Sequence, residues 1–368
     1  MDFLEDWLTL YLTPGLGSGG CKKLIDLYGD PASVCRAPKS KLTNTPGLMK
    51  KVSAAINRTD IRDQAKRELE KCQKAGIDIL SWDSAAFPEW LRNIPDPPTL
   101  LFVKGNPGVL SAPGIGIVGS RAASSYGLKM AGDLGRQLSA AGLSVISGLA
   151  LGIDAAAHRG ALANDRKTIA VLGCGLDIVY PAQNRDLFES IPASGAIVSE
   201  YPMGTPPDGF RFPARNRIIS GLSLGVVVVE AAKRSGSLIT AELALDQGRE
   251  VFAVPGRADA IQCTCTHRRL QAGARLVLNV NDIICEVQSV HSPQDSEPGK
   301  KDLSEKDTAE LTSDEKIVLY HLEVYPKTVD DVIVGSELSV EKVNELLLML
   351  ELKGFCEVLP GRQYQLKQ

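Results

Sequence analysis

Apolar runs rich in β-branched residues recur six times between residues 115 and 256, and this recurrence constrains the fold more than any other feature. Stretches with a helical period, such as YGLKMAGDLGRQLSAAG, separate them. Strands that are apolar on both faces and alternate with helices are typical of a parallel sheet covered on both sides. The sequence therefore predicts an α/β fold with a doubly wound, mostly parallel sheet. The runs are IGIVGS (115–120), LSVISG (143–148), TIAVLG (168–173), AIVSEY (196–201), LGVVVVEA (224–231) and EVFAVPG (250–256).

Composition shifts along the chain predict four segments. Residues 1–80 read as short helices broken by Pro-Gly turns, and residues 81–288 as a Rossmann-like domain that contains the sheet. Residues 289–310 are polar, with almost nothing apolar to bury, and predict a flexible linker. Residues 311–368 read as three helices and a short hairpin, an order and size that suit a winged helix.

The first segment admits two interpretations. Its turns LTPGLGSGG and LTNTPGL are each followed by a helical pattern with paired lysines, Lys22–Lys23 and Lys50–Lys51. This resembles helix-hairpin-helix units, which offer backbone N–H groups to phosphates. A small helical packing domain is the alternative.

Composition excludes several classes of protein. With 41 basic and 44 acidic side chains and 44% apolar residues, the chain is an ordinary soluble one. No apolar run reaches the ~20 residues that a membrane span needs, and the acidic N-terminal stretch is unlike a signal peptide, so we expect a cytoplasmic protein without membrane contact. Eight cysteines without a CxxC pair indicate reduced thiols, and we expect neither a cofactor nor a metal. Cys263, Cys265 and His267 would share one face if extended, but no fourth ligand is visible.

Two nucleotide-binding motifs are excluded by their context. GIGIVG matches GxGxxG in letters, but Gly114 and Gly116 fall at the start of a strand or inside it, where the dinucleotide fingerprint needs glycines after the strand. No acidic residue follows the next strand to bind a ribose, and no GxxxxGK[ST] motif exists. The sequence therefore favours neither a hydride-transfer enzyme nor a P-loop ATPase.

Small polar clusters follow nearly every predicted strand: Gly119-Ser120-Arg121, Ser147-Gly148, Gly173 with Gly175, Ser199-Glu200, and Ser235-Gly236-Ser237 with Thr240. In a parallel sheet these turns meet at one edge and point unpaired N–H groups at it, which favours an anion. A guanidinium beside a Gly-Ser turn fits a phosphate, so Arg121 is the leading candidate. The alternative is a buried Arg121 paired with Asp154 or Glu200.

A second basic cluster is FRFPARNRIISG. It holds Arg211, Arg215, Asn216 and Arg217 beside Phe210 and Phe212, with no acidic residue, and Lys233–Arg234 follow the next strand. Cations with aromatic faces nearby suit a groove for single-stranded nucleic acid. The alternative is that the phenylalanines are core and one arginine is structural, and we expect at least one of the two phenylalanines in the core.

No established catalytic pattern is present at this edge. His158 follows Asp154 by one helical turn and is expected to bond to it, while Glu230 and Glu242 lie near the edge. SGSLITAE, with Glu242, is a loose analogue of the glutamate segment in Rossmann-like nucleotide hydrolases, which use the same kind of phosphate-binding edge. A nucleotide-processing hydrolase is therefore the alternative function, and a transcription regulator acting through the winged helix is a third.

Several long motifs together resemble one family: GSR (119–121), SGLALGIDAAAH (147–158), VLGCGLDIVYPAQN (171–184), SEYPMGTPP (199–207), FPARNRIISGLS (212–223) and EAAKRSGSLITAELALDQGREVFAVPG (230–256). The chain is similar to the DNA-processing protein A (DprA/Smf) family of bacteria. The resemblance implies a non-catalytic protein that binds and protects single-stranded DNA in a pocket of its Rossmann-like domain. It also implies a homodimer formed through that domain, and loading of RecA recombinase during natural transformation and recombination.

Carried onto this sequence, the resemblance assigns the GSR arginine to Arg121 and the FPxRNR arginines to Arg215 and Arg217, with turns at Gly148, Gly173 and Gly236 completing the phosphate pocket. Two departures stand out: CTCTH and Arg269–Leu270 replace the usual stretch near the dimer edge, and Leu151 stands where many members have Arg. The full predicted DNA-contact set is Gly119, Ser120, Arg121, Ser147, Gly148, Gly173, Gly175, Arg211, Phe212, Arg215, Asn216, Arg217, Lys233, Arg234, Ser235, Gly236, Ser237 and Thr240.

The candidate recognition helix of the winged helix is acidic. SVEKVNELLLMLELKG carries Glu341, Glu345 and Glu351 against Lys342 and Lys353. Phosphates repel such a helix, so we predict a protein-contact or packing role for it.

Overall fold

A computed structural model describes residues 2–56, 58–163, 167–231, 235–256, 260, 263–291, 311–322, 327–336, 338–359 and 363–366. The chain divides into two compact units, Met1–His291 and Ser292–Gln368. Most of the predicted linker, residues 292–310, lies outside the described residues. The predicted boundary at residue 80 falls inside a strand and stays a prediction.

Six helices open the first unit: α1 (Asp2–Leu12), α2 (Gly17–Tyr28), α3 (Pro31–Arg36), α4 (Lys39–Thr43), α5 (Lys50–Ala55) and α6 (Thr59–Lys74). The turns before α2 and α5 contain Gly15 and Gly47, which have φ angles of 80° and 77°. Trp7 and Leu42 are buried between these helices and belong to the same apolar cluster as Phe102 of the sheet. The helical segment thus shares its core with the sheet.

A nine-stranded sheet forms the centre of this unit. Its strands are β1 (Ile77–Ser81), β2 (Leu100–Gly105), β3 (Gly114–Val118), β4 (Ser144–Ser147), β5 (Thr168–Leu172), β6 (Ala196–Ser199), β7 (Gly225–Val228), β8 (Glu250–Ala253) and β9 (Arg275–Leu276). Their order is β1-β2-β6-β5-β4-β3-β7-β8-β9. In this order, every neighbouring pair from β6 through β5, β4, β3, β7 and β8 to β9 is parallel. Strand β2 pairs with both β1 and β6 in the antiparallel sense.

Helices cover the sheet and join its parallel strands. They are α7 (Glu89–Arg92), α8 (Ser125–Ala140), α9 (Ile153–Leu162), α10 (Arg185–Ser194), α11 (Arg211–Leu222), α12 (Gly236–Asp246), α13 (Thr264–Gln271) and α14 (Val280–His291). Strands β3 to β8 are buried along almost their whole length, which is why their sequences are continuous apolar runs. The predicted fold class, a doubly wound and mostly parallel sheet, is confirmed.

The strand order reverses between β3 and β7. The strands that follow β3 continue on one side through β4, β5 and β6, and β7 and β8 lie on the other side. In open α/β sheets the crevice at such a reversal, beyond the carboxyl ends of the strands, is where ligands bind. We call this edge of the sheet, where Val118, Ser147 and Leu172 end their strands, the carboxyl edge.

The second unit has its own helices, α15 (Ser313–Tyr320), α16 (Val329–Ser336) and α17 (Val340–Leu352), and a small sheet of β10 (Lys327–Thr328), β11 (Cys356–Leu359) and β12 (Gln363–Leu366). Val318, Val332, Leu347 and Cys356 are among the residues of its separate core. The helical order followed by the β11–β12 pair is that of the predicted winged helix. Among the described residues, no helix combines the length and apolar character needed to cross a membrane.

Candidate nucleic-acid interface

A pocket opens at the carboxyl edge, between the turns that leave β3, β4 and β5 and the start of α11. Its volume is about 60 Å³. The residues that line it come from five separate segments of the chain: Arg121, Gly148, Ala150, Leu151, Leu172, Gly173, Cys174, Tyr180, Pro181, Phe212 and Arg215. Five predicted site residues, Arg121, Gly148, Gly173, Phe212 and Arg215, are therefore brought together here.

Arg121 is the exposed cation of this pocket. It follows β3 directly, and its guanidinium carbon lies 5.5 Å from the centre of the Phe212 ring. Within the described parts of the chain, no carboxylate pairs with it, so the alternative of a buried, neutralised Arg121 does not hold. The side chain is therefore available to an anion from solvent.

Two aromatic rings form a platform next to Arg121. Tyr180 and Phe212 stack with their centres 5.5 Å apart and their planes at 21°. Tyr180 is 38% exposed and Phe212 half-buried, so part of the stacked surface faces the pocket opening. Stacked aromatic faces beside a cation are what a nucleobase and its phosphate require. Tyr180 was missed by the sequence analysis, although it lies in the quoted VLGCGLDIVYPAQN motif.

Arg215 lies beneath the pocket and is only 5% exposed. Its Nη1 donates to the carbonyl oxygen of Gly148 at 2.9 Å and to that of Val171, and its Nε donates to Asn216 Oδ1 at 3.2 Å. Burial lowers the pKa of Arg215 to about 10, and the nearby carboxylate of Asp154 opposes that shift. Arg215 therefore stays cationic at neutral pH and contributes positive potential from below.

Asp154 accepts a hydrogen bond from the Gly148 amide, which the sequence predicts to face a phosphate. Its Oδ2 accepts from the backbone N–H of Gly148 at 3.1 Å and of Ala150 at 3.4 Å. Burial raises the pKa of the Asp154 carboxyl, while Arg215 and these N–H donors act in the opposite direction. The Gly148 turn thus supports the pocket through its carbonyl oxygen, which accepts from Arg215. The Gly148 amide is already hydrogen-bonded to Asp154.

Two close approaches fix the turns around Arg121. A Cβ atom on Gly148 would lie 2.6 Å from the Arg215 guanidinium nitrogens, and one on Gly152 would lie 2.3 Å from the Ser120 carbonyl oxygen. Gly152 also has a φ of 77°, which favours glycine. From the other side, Asn184 Nδ2 donates to the carbonyl oxygens of Leu149 and Ala150 at 2.9 and 3.1 Å. Asn184 is a positioning residue that the sequence analysis quoted but gave no role.

Arg217 and Arg211 face carboxylates. Arg217 forms a bidentate ion pair with Glu200, in which Nη1 and Nη2 donate to the two carboxylate oxygens at 3.0 and 2.5 Å. Its Nε also donates to Asp96 Oδ2 at 3.1 Å. Its side chain is 11% exposed. Arg211 pairs with Asp208 at 2.5 Å. The expectation of two further guanidiniums free for phosphate is therefore not met, because carboxylates distant from the motif or just before it neutralise them.

The phenylalanines of this segment also differ from expectation. Phe210 is 71% exposed, and Phe212 is half-buried at the pocket, so neither is a core residue. The expectation of at least one core phenylalanine is wrong. The two rings instead flank the start of α11, where Phe210 stacks against the Arg211 guanidinium at 5.0 Å.

Most of the other predicted contacts turn inward or support the edge. Ser147 Oγ donates to the Ile117 carbonyl oxygen at 2.6 Å, and the Gly175 amide donates to the Thr205 carbonyl oxygen at 3.0 Å. Gly119 and Ser120 are half-buried against α9, and the buried Asn216 donates to the Gly236 carbonyl oxygen. At the start of α12, Ser235 is the N-cap, Gly236 is exposed, and Ser237 and Thr240 are buried. Lys233 and Arg234 lie outside the described residues.

Residues considered for catalysis or metal binding have structural partners. His158 Nδ1 lies 2.8 Å from Thr168 Oγ1, so the expected bond to Asp154 is wrong. Glu230 accepts from the amide of Ser124 before α8, and Glu242 pairs with Arg269 at 2.6 Å. Cys265 and His267 lie in α13, a helix rather than an extended segment. Among the described residues, no three His, Cys, Asp or Glu side chains are grouped to hold a metal.

Comparison with known proteins identifies the family. Residues 78–288 match the family model described as DNA recombination-mediator protein A, and residues 303–362 match the DprA winged helix domain. The Smf protein of Synechocystis is 35% identical over 81% of this chain and 82% of its own. The X-ray structure of DprA from Streptococcus pneumoniae superposes with a TM-score of 0.69 at 37% identity, over 76% of this chain and 97% of that one.

A second solved structure, of DNA processing protein A from Helicobacter pylori, is described by its single-stranded DNA binding mode. It has a TM-score of 0.53 at 30% identity, over 58% of this chain and 96% of that one. The match to the family model extends across the whole parallel sheet and includes all the pocket residues. The chain belongs to the DNA-processing protein A (DprA/Smf) family of recombination mediators.

Proposed function

We propose that this protein binds single-stranded DNA in the pocket at the carboxyl edge, without catalysis. The observation that carries the proposal is the exposed guanidinium of Arg121, set beside the Phe212–Tyr180 stack and above the buried cation Arg215. A phosphate would contact Arg121, and a base would lie on the aromatic platform. Such a site discriminates little between bases, because every base has a face that can stack.

Family membership supports a wider role. The related DNA processing protein A of Helicobacter pylori binds single-stranded DNA. We propose that this chain likewise protects incoming DNA, forms a homodimer through its Rossmann-like domain, and loads RecA recombinase in the cytoplasm during natural transformation. Co-purification with RecA on single-stranded DNA tests the loading step. Failure there would contradict loading and leave DNA binding to be judged by its own experiment.

Among the described residues, no contact supports the hydrolase alternative. Glu242, its candidate nucleophile, is on the exposed side of α12 in an ion pair with Arg269 and is not among the pocket residues. Incubation of the protein with nucleoside monophosphates should therefore release no free base. Release that disappears in Glu242→Gln would overturn the non-catalytic proposal.

The binding proposal is tested by fluorescence anisotropy of labelled oligo-dT. We expect Arg121→Glu to weaken binding by at least tenfold, and to lower the slope of log affinity against log salt by about 0.7 for the lost phosphate contact. Arg67→Glu on α6 is the matched control, since Arg67 is also exposed but is not among the pocket residues. Equal affinities for the parent, Arg121→Glu and Arg67→Glu would contradict the proposed function.

A further inference from the structure

A second and larger concavity begins where the DNA pocket ends. It is an open groove of about 730 Å³ between α8 and α9, and Arg121 lines both the groove and the pocket. Helices that follow parallel strands run back from the carboxyl edge, so the groove leads away from the pocket along the helical layer. The residues Gly152 to Ala163 along α9 extend it by about 16 Å at the helical rise of 1.5 Å per residue.

The groove is cationic and has a smooth floor. Its described lining contains Arg121, Lys129, Arg136 and Arg159 against one carboxylate, Asp133. The floor is made by residues with no side chain larger than a methyl group: Gly132, Gly152, Ala156, Gly160 and Ala163. A backbone-lined floor with cations along its sides leaves room for a polyanion at van der Waals distance.

The ion pairs already present in the groove do not neutralise it. Arg136 lies 2.9 Å from Asp133 and Arg159 lies 3.4 Å from Asp186, but all four side chains are at least 37% exposed. Exposed pairs of this kind contribute little and exchange readily with another anion. Lys129 is exposed, and no carboxylate among the described residues pairs with it. Charge complementarity therefore points to a polyanion.

We propose that the α8–α9 groove is a second DNA-contact surface, which holds the sugar-phosphate backbone of the same single strand after it leaves the pocket. This inference rests on the proposed function. A stacked strand advances by about 3.4 Å per nucleotide, so the groove accommodates roughly four to five nucleotides. Contacts in it are made to phosphates only, because the described lining has no aromatic side chain on which a base could stack.

The groove predicts a dependence on oligonucleotide length. In the full-length protein, the double variant Lys129→Glu/Arg159→Glu should bind dT20 at least tenfold more weakly and show a salt slope lower by about 1.4, for two lost phosphate contacts. The dinucleotide dT2 is too short to reach from the pocket along the groove, so its affinity should stay within twofold of the parent. Arg67→Glu/Lys74→Glu is the matched control: it makes the same charge change at two exposed cations of α6, which line neither the pocket nor the groove.

Each outcome separates the two proposals. Parent-like dT20 binding by the double variant, or an equal loss on dT2 and dT20, overturns the groove proposal. Weakened dT20 binding of similar size in Arg67→Glu/Lys74→Glu also overturns it, since the effect would then be one of overall charge. Arg121→Glu should weaken both lengths. If it weakens neither, the proposed function fails, whatever the groove variants do. Thermal melting of each variant verifies that the charge reversals leave the fold intact.

Discussion

His158 couples the stability of the fold to pH. Its imidazole is fully buried on α9, with Thr168 Oγ1 at Nδ1 and no partner at Nε2 among the described residues. Burial, with Arg215 and Arg159 as smaller contributors, lowers the pKa of His158 to about 3. The native state therefore keeps this imidazole neutral, whereas the unfolded chain binds a proton below a pH of about 6.5.

Because the unfolded state binds more protons, the free energy of unfolding should fall as the pH falls below about 6.5. Between pH 7 and pH 5 this residue alone accounts for a loss of about 2 kcal/mol. We expect urea unfolding of the parent to show this loss relative to His158→Gln, which keeps a polar group for Thr168 but does not titrate. Parallel pH profiles for the two proteins would contradict this, because they would mean that the native imidazole binds a proton as readily as the unfolded one.

At the residue scale, the sequence indicates which side chains stand at the carboxyl edge but not how they pair. Arg121 lies after β3, as the sequence places it, and exposure leaves it available. Arg217 comes from a motif without acidic residues, yet its partners Asp96 and Glu200 are distant in the chain. Long-range ion pairs of this kind are decided by the packed fold and leave no trace in local spacing. Asp154, by contrast, accepts from an amide only six residues before it, where the turn after β4 leads into α9.

At the element scale, the contact between α8 and α9 holds the Arg121 turn in place. A Cβ atom on Gly160 would lie 2.1 Å from the Gly132 carbonyl oxygen, so the helices touch backbone to backbone. We expect Gly160→Ala to lower the free energy of unfolding by about 1–3 kcal/mol, since the helices must separate. The expected separation would also displace the Arg121 turn, and we expect weaker binding of oligo-dT.

Gly132→Ala is the matched control for this prediction. Its Cβ atom would meet only the Ala156 carbonyl oxygen, at the ordinary contact distance of 3.7 Å. The higher helix propensity of alanine should make this variant equal to the parent or more stable by up to about 1 kcal/mol. Urea denaturation of both variants decides the matter: equal destabilisation would mean that helix–helix distance does not distinguish them.

Elements with strong periodicity are predictable, and edge elements are not. Strands β3 to β8 coincide with the six apolar runs to within one residue, because strands buried on both faces consist almost entirely of apolar residues. By contrast, β1 and β2 add to the sheet in the antiparallel sense beside a proline-rich connector, which gives no periodic signal. The CTCTH segment alternates like a strand, yet most of it lies in α13, since tertiary packing buries Cys265 and Thr266 there.

At the scale of the whole molecule, the proposed DNA-binding surfaces and the winged helix belong to different compact units. Every residue of the pocket and of the α8–α9 groove lies in the first unit. The second unit has a core of its own, so its function can be examined separately. Its sequence-predicted role is contact with protein rather than with DNA, and the charges on α17 bear on that role.

The lysines of the candidate recognition helix are engaged with glutamates. Lys342 lies 3.5 Å from Glu345, and Lys353, the residue after α17, lies 2.6 Å from Glu315. Glu341 is exposed as well, so α17 presents more negative than positive charge. We therefore expect residues 311–368 in isolation to bind a DNA duplex with a Kd weaker than about 10⁻⁴ M, the weak end of non-specific binding.

Charge reversal tests whether electrostatics is the reason. In the isolated residues 311–368, Glu341→Lys/Glu345→Lys replaces two exposed acids on α17 with bases and releases Lys342 from its partner. If repulsion alone keeps this helix from phosphates, the variant should bind duplex in anisotropy titrations, and the binding should weaken with added salt. Tight, salt-sensitive duplex binding by the parent sequence would instead favour a transcription regulator. Absence of binding by both would mean that shape, rather than charge, excludes DNA from this face.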